Sequence, residues 1–122
     1  MRLFLTELGD LELNFNPKER AIYMFFLKHP EGVRLSELQD FEDEILSYYV
    51  RFTGIDSHEV IQESVKRLLD PLDNNMNEVI SRIKSKLEKA VGHKLIHHYV
   101  IDGPRGEKKR ISLDREYVTL MS

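Results

Sequence analysis

The sequence predicts an α+β fold, with an N-terminal β-hairpin, four helices and a C-terminal β-hairpin. Three observations carry this reading. Short apolar alternation opens the chain, and four segments between Asn16 and Gly92 repeat apolar residues every three or four positions. After Gly92 the period changes from helical to alternating, and a turn rich in glycine and proline divides the alternating stretch. The 122 residues suit one domain, 1–122, with a single core and no linker or repeat.

Residues 2–5 and 11–15 alternate apolar and polar positions on either side of Glu7, Leu8, Gly9 and Asp10, which predicts a hairpin. Asn16 is then an N-cap, because Pro17 follows where a missing amide hydrogen costs nothing and Glu19 stands three residues on, as a capping box requires. This first helix runs to about Lys28, with Ala21, Ile22, Met24, Phe25 and Leu27 inward. His29, Pro30, Glu31 and Gly32 end it. Val33, Arg34 and Leu35 suit a short strand, and Ser36 suits a second N-cap.

Leu38, Phe41, Ile45, Tyr48, Tyr49 and Phe52 then recur at helical spacing until Gly54. The acids Asp40, Glu42, Asp43 and Glu44 on that helix read as a solvated face, and its aromatic residues as core. Ser57 caps a third helix whose buried side is expected to be Val60, Ile61, Val65, Leu68 and Leu69, and Pro71 breaks the chain after it.

The fourth helix, residues 74–91, carries Met76, Val79, Ile80, Ile83, Leu87 and Ala90 on one stripe. Its other face carries Asn74, Asn77, Glu78, Ser81 and Ser85, bordered by Arg82, Lys84, Lys86 and Lys89. Gly92 is the C-cap. Residues 95–101 and 109–113 are expected to be the two last strands, joined by a turn from Asp102 to Lys108.

Net charge is −3, but it is divided unevenly. Residues 1–73 hold 8 Lys and Arg against 15 Asp and Glu, a net of −7, while residues 74–122 hold 10 against 6, a net of +4. The basic part coincides with the fourth helix and the last hairpin. Such a bipolar chain suits one face turned to phosphate and another turned to solvent or protein. It does not suit indiscriminate coating of nucleic acid.

Several classes fall away on composition. Without cysteine there is no disulfide or thiolate metal site. No apolar run approaches the roughly 20 residues of a membrane span. The opening residues lack a secretory pattern, so a cytoplasmic protein is expected. His93, His97 and His98 have no companion carboxylate or thiolate at ligand spacing, so no metal and no cofactor is expected. Gly103 and Gly106 belong to a hairpin turn rather than to a loop between helices. No nucleophile, paired carboxylate or phosphate loop supports an enzyme.

The order hairpin, helix, helix, helix, basic amphipathic helix, hairpin is that of winged-helix domains. Locally the chain resembles the DNA-binding effector domains of OmpR/PhoB-type response regulators, in LNFNPKERAIYMFFLKHPEG, VISRIKSKLE and YVIDGPRGEKKRISL. The resemblance is to the effector domain alone, and a chain without a receiver domain is expected. The resemblance implies a small transcriptional regulator that binds duplex DNA through a recognition helix, 74–91, and a wing, 95–113. It places Asn77, Ser81, Arg82, Ser85 and Lys89 toward the major groove or adjoining phosphates, and Arg105, Lys108, Lys109 and Arg110 on the wing.

By side-chain chemistry, Arg82 suits guanine and Asn77 adenine, with Ser81 and Ser85 less selective. Lys84, Lys89, Lys94 and the wing cations suit phosphate. A module this small points to a homodimer on paired half-sites. The other reading of the same fold is a protein interaction module without DNA contact, docking partners through its acidic N-terminal part.

Overall fold

A computed structural model describes residues 2–5, 11–12, 14–53, 58–70, 75–92, 94, 96–104, 107–111 and 118–121. Among these, the chain is mostly helical with two small antiparallel sheets, loosely α+β. The strands are β1 (Arg2–Leu5), β2 (Leu11–Glu12), β3 (Ile101–Asp102), β4 (Arg110–Ile111) and β5 (Val118–Met121). The helices are α1 (Pro17–Lys28), α2 (Glu42–Thr53), α3 (His58–Leu69), α4 (Asn75–Val91) and the single turn α5 (Ile96–Tyr99). A 3-10 helix, Leu35–Phe41, leads into α2.

α1 starts as its sequence dictates. Asn16 Oδ1 accepts from the Glu19 amide and Glu19 Oε1 accepts from the Asn16 amide, each at 2.9 Å, so two end-of-helix donors are satisfied reciprocally. From Ala21 to Leu27 every residue is buried, which makes α1 the central helix. It packs on α2 and α4, and α3 packs on the same two. The core stripe of α4 is Met76, Val79, Ile83 and Leu87, with Ile80 half-buried beside it. No described helix is long and apolar enough to cross a membrane.

Two ties join distant parts of this frame. Tyr23 Oη donates to the Tyr99 carbonyl at 2.9 Å in the core. Lys86 Nζ on α4 donates to the buried Glu19 Oε1 at the start of α1. Glu19 is the single charged residue buried among the described residues.

Several expectations need correction. Of the strand expected over 95–101, only Ile101 among the described residues is found in a strand: Ile96–Tyr99 is a helical turn, closed by the Val100 amide on the Ile96 carbonyl at 3.1 Å. Ile96, Tyr99 and Val100 are spaced three and four apart, so one turn of helix buries all three, whereas a strand would send Tyr99 to the opposite side from its neighbours. His97 and His98 therefore do not alternate across a strand. Both are exposed, with ring centroids 4.1 Å apart.

Ser36 does not cap α2. The 3-10 helix begins one residue earlier, after Arg34, without a side-chain cap, and α2 proper starts at Glu42. The strand expected at 33–35 shrinks to one bridge, Val33 with Lys109. Val60 is 57% exposed, because Ile61, Val65, Leu68 and Leu69 already form the buried stripe of α3. The chain end supplies a strand the alternation did not single out: β5 pairs with β1 on the edge opposite β2. Asn74, Ser57, His93, Leu95, Arg105 and Gly106 lie outside the described residues.

Candidate nucleic-acid interface

The last hairpin is held against the body by backbone bonds. β3 pairs with β4 through Ile101 with Ile111 and Asp102 with Arg110. One residue before β4, Val33 and Lys109 exchange both amide bonds at 2.9 Å, so the segment after α1 is tied to the hairpin by one bridge. Gly32 makes this approach feasible, with φ +87° and the Lys109 carbonyl directly beside it.

The hairpin and α4 enclose a cleft of about 240 Å³. Asn77, Ser81 and Lys84 line it from the helix, at the three- and four-residue spacing that stacks side chains on one face. Lys109 and Asp102 line it from the hairpin, and Leu35, Ile80, Val100 and Ile101 supply apolar wall. Three helix positions and one hairpin cation singled out from the sequence thus meet at one opening.

The remaining positions are distributed differently. Arg82, Ser85 and Lys89 are exposed on the adjoining face of α4, together with Glu78. Arg82 Nη2 lies 3.9 Å from Glu78 Oε2, a loose pair between two exposed side chains that a guanine edge would have to displace. Lys94, Lys108 and Arg110 are exposed. Lys109 is not a free cation: its Nζ donates to the Gly103 and Pro104 carbonyls and closes the hairpin loop. No signal in the sequence marked that role, nor the presence of Asp102 inside the cleft.

Lys108 also has an acidic neighbour. The exposed carboxyl of Glu31 is held below its usual range, first by a backbone hydrogen bond at its own position, then by His29 and by the charge of Lys108. The turn after α1 therefore tempers the positive field of the hairpin on one side.

The acidic helix is less solvated than its sequence suggests. Glu44 accepts from Tyr48 Oη at 2.9 Å and sits 2.9 Å from His29 Nε2, whose ring stacks on Phe25 at 4.4 Å and meets Phe41 at 5.1 Å. Asp40 and Asp43 are exposed. Burial first, and then the bond to Glu44, pushes the Tyr48 phenol up to about 12. A phenol whose folded pKa lies above its unfolded value, about 10, contributes stability below pH 10 that is lost as pH rises through 12. Subtracting the ultraviolet tyrosinate titration of Tyr48→Phe from that of the native protein is expected to leave one ionisation near pH 12. A difference curve centred at pH 10 would refute the Tyr48–Glu44 bond.

Among the described residues no group of three His, Asp or Glu side chains is arranged to hold a metal ion. Comparison with family models, with curated proteins and with solved structures finds no match.

Proposed function

We propose that this chain is a small cytoplasmic DNA-binding protein of winged-helix type, a transcriptional regulator that sets α4 in the major groove and the β3–β4 hairpin on the neighbouring backbone. One observation carries the reading. Asn77, Ser81 and Lys84 of α4 open onto one cleft beside the hairpin, so base-selective amide and hydroxyl groups and a phosphate-binding cation share that flank of the helix. Lys84 lies in that cleft, and Arg82, Lys89, Lys94, Lys108 and Arg110 are exposed elsewhere on α4, after it and on the hairpin. Lys109 serves the hairpin rather than the ligand, and Arg105 lies outside the described residues.

Fluorescence anisotropy with a random-sequence duplex tests this directly. With about four phosphate contacts, the log of the binding constant is expected to fall against log salt with a slope of roughly −3.6. Lys84→Ala with Lys108→Ala is expected to make that slope shallower by about 1.8, since each contact contributes about 0.9. Absence of binding by the native chain at low salt would leave the second reading, a winged-helix interaction module. Asp102 within the cleft and the acidic first 73 residues favour that alternative.

A further inference from the structure

Viewed down its axis, α4 has two flanks. The hairpin stands beside the one that bears Asn77, Ser81 and Lys84, which stay exposed. Asn75, Arg82 and Lys86, spaced seven and four apart, lie on the other, and Lys86 marks it as the side toward the start of α1 by its bond to Glu19. A groove of about 420 Å³ opens there, lined by Lys18 of α1, by Val60, Glu63, Ser64 and Arg67 of α3, and by Asn75 at the head of α4.

Three helices thus bring a lysine, an arginine, a serine and an asparagine to one opening beside the first turn of the candidate recognition helix. Arg67 Nη2 is 3.0 Å from Glu63 Oε1, but both side chains are more than two-thirds exposed, so the pair is cheap to exchange for another anion. An arginine fork matches two phosphate oxygens, and Lys18 adds a point charge beside it. Ser64 and Asn75 supply neutral donors.

We propose that this groove is a second phosphate-binding point for the same duplex, with Lys18 and Arg67 as its cations. The duplex would then be held on both sides of α4, by the hairpin on one strand and by this groove across the major groove. The inference rests on the DNA-binding reading above and adds to it two residues and a docking direction. Glu63 becomes an intramolecular competitor, occupying Arg67 until phosphate replaces it.

The test is a salt series of duplex binding with the native chain, with Lys18→Ala plus Arg67→Ala, and with Glu63→Gln, each checked for helix content by circular dichroism. The double variant is expected to lose about 1.8 from the salt slope and about five- to tenfold in affinity per contact near 0.1 M salt. Glu63→Gln is expected to tighten binding, a gain that a folding defect would not mimic. If the native chain binds with a steep salt dependence and both variants match it, the groove assignment is overturned and the DNA reading stands. If the double variant loses its helix content, Glu63→Gln alone decides: tighter binding supports the groove and unchanged binding overturns it. If the native chain does not bind duplex at all, the DNA reading fails and this assignment fails with it.

Discussion

Gly32→Ala is expected to lower stability by about 2–4 kcal/mol, from left-handed backbone strain and overpacking together. The glycine has φ +87°, which a side chain disfavours, and a Cβ there would stand 2.8 Å from the Lys109 carbonyl oxygen. Backbone cannot swing aside as a flexible side chain can. The next residue, Val33, exchanges both its amide bonds with that same Lys109, so the chain can relieve the overlap only by releasing the hairpin. Urea titration is expected to show a lower midpoint. Duplex affinity is expected to fall as well, because Lys108 and Arg110 would no longer be held at a fixed distance from Lys84. An unchanged midpoint would mean that the hairpin does not lie against the turn after α1.

A second large effect is expected at Lys86, where an ion pair joins two helices. Glu19 is 1% exposed and Lys86 37%, so the lysine can reach water and the carboxylate cannot. Lys86→Ala leaves a buried acid with its backbone partner at Asn16 and no cation, at a cost of about 1–3 kcal/mol. Glu19→Gln combined with Lys86→Met is expected to cost less than Lys86→Ala alone. Glutamine keeps the capping geometry, and no charge is stranded in the interior. Should the double variant prove the less stable of the two, the pair is net stabilising in itself and the desolvation argument is wrong.

The local elements were legible because local rules govern them. Asn16, Pro17 and Glu19 marked the start of α1, and the three- and four-residue recurrence of Met76, Val79, Ile83 and Leu87 marked α4 and its buried side. Gly92 closes α4 with φ +83°, as its type implies. The failures also have a local cause. In Ile96–Tyr99 the run is so short that Ile96 and Val100, four apart, share a side under either period, and only the burial of Tyr99 with them separates helix from strand. At Val60, a β-branched apolar residue looked inward because sequence cannot show where a stripe is already full.

For the candidate site, helical spacing was enough to group Asn77, Ser81 and Lys84. It could not say which flank of α4 meets the hairpin, that Lys109 ties its own loop, or that Lys18 and Arg67 converge with Asn75. The Glu19–Lys86 bond spans 67 positions, and β1 pairs with β5 from the other end of the chain. What the residues by themselves determined is α1 with its capping box, α4 with its buried stripe and its end at Gly92, and the uneven division of charge. These depend on backbone periodicity and on hydrogen bonds reaching three or four residues. Which cations become neighbours was decided only when the elements packed, because contacts distant in sequence follow from filling one core and leave no periodic trace in the chain.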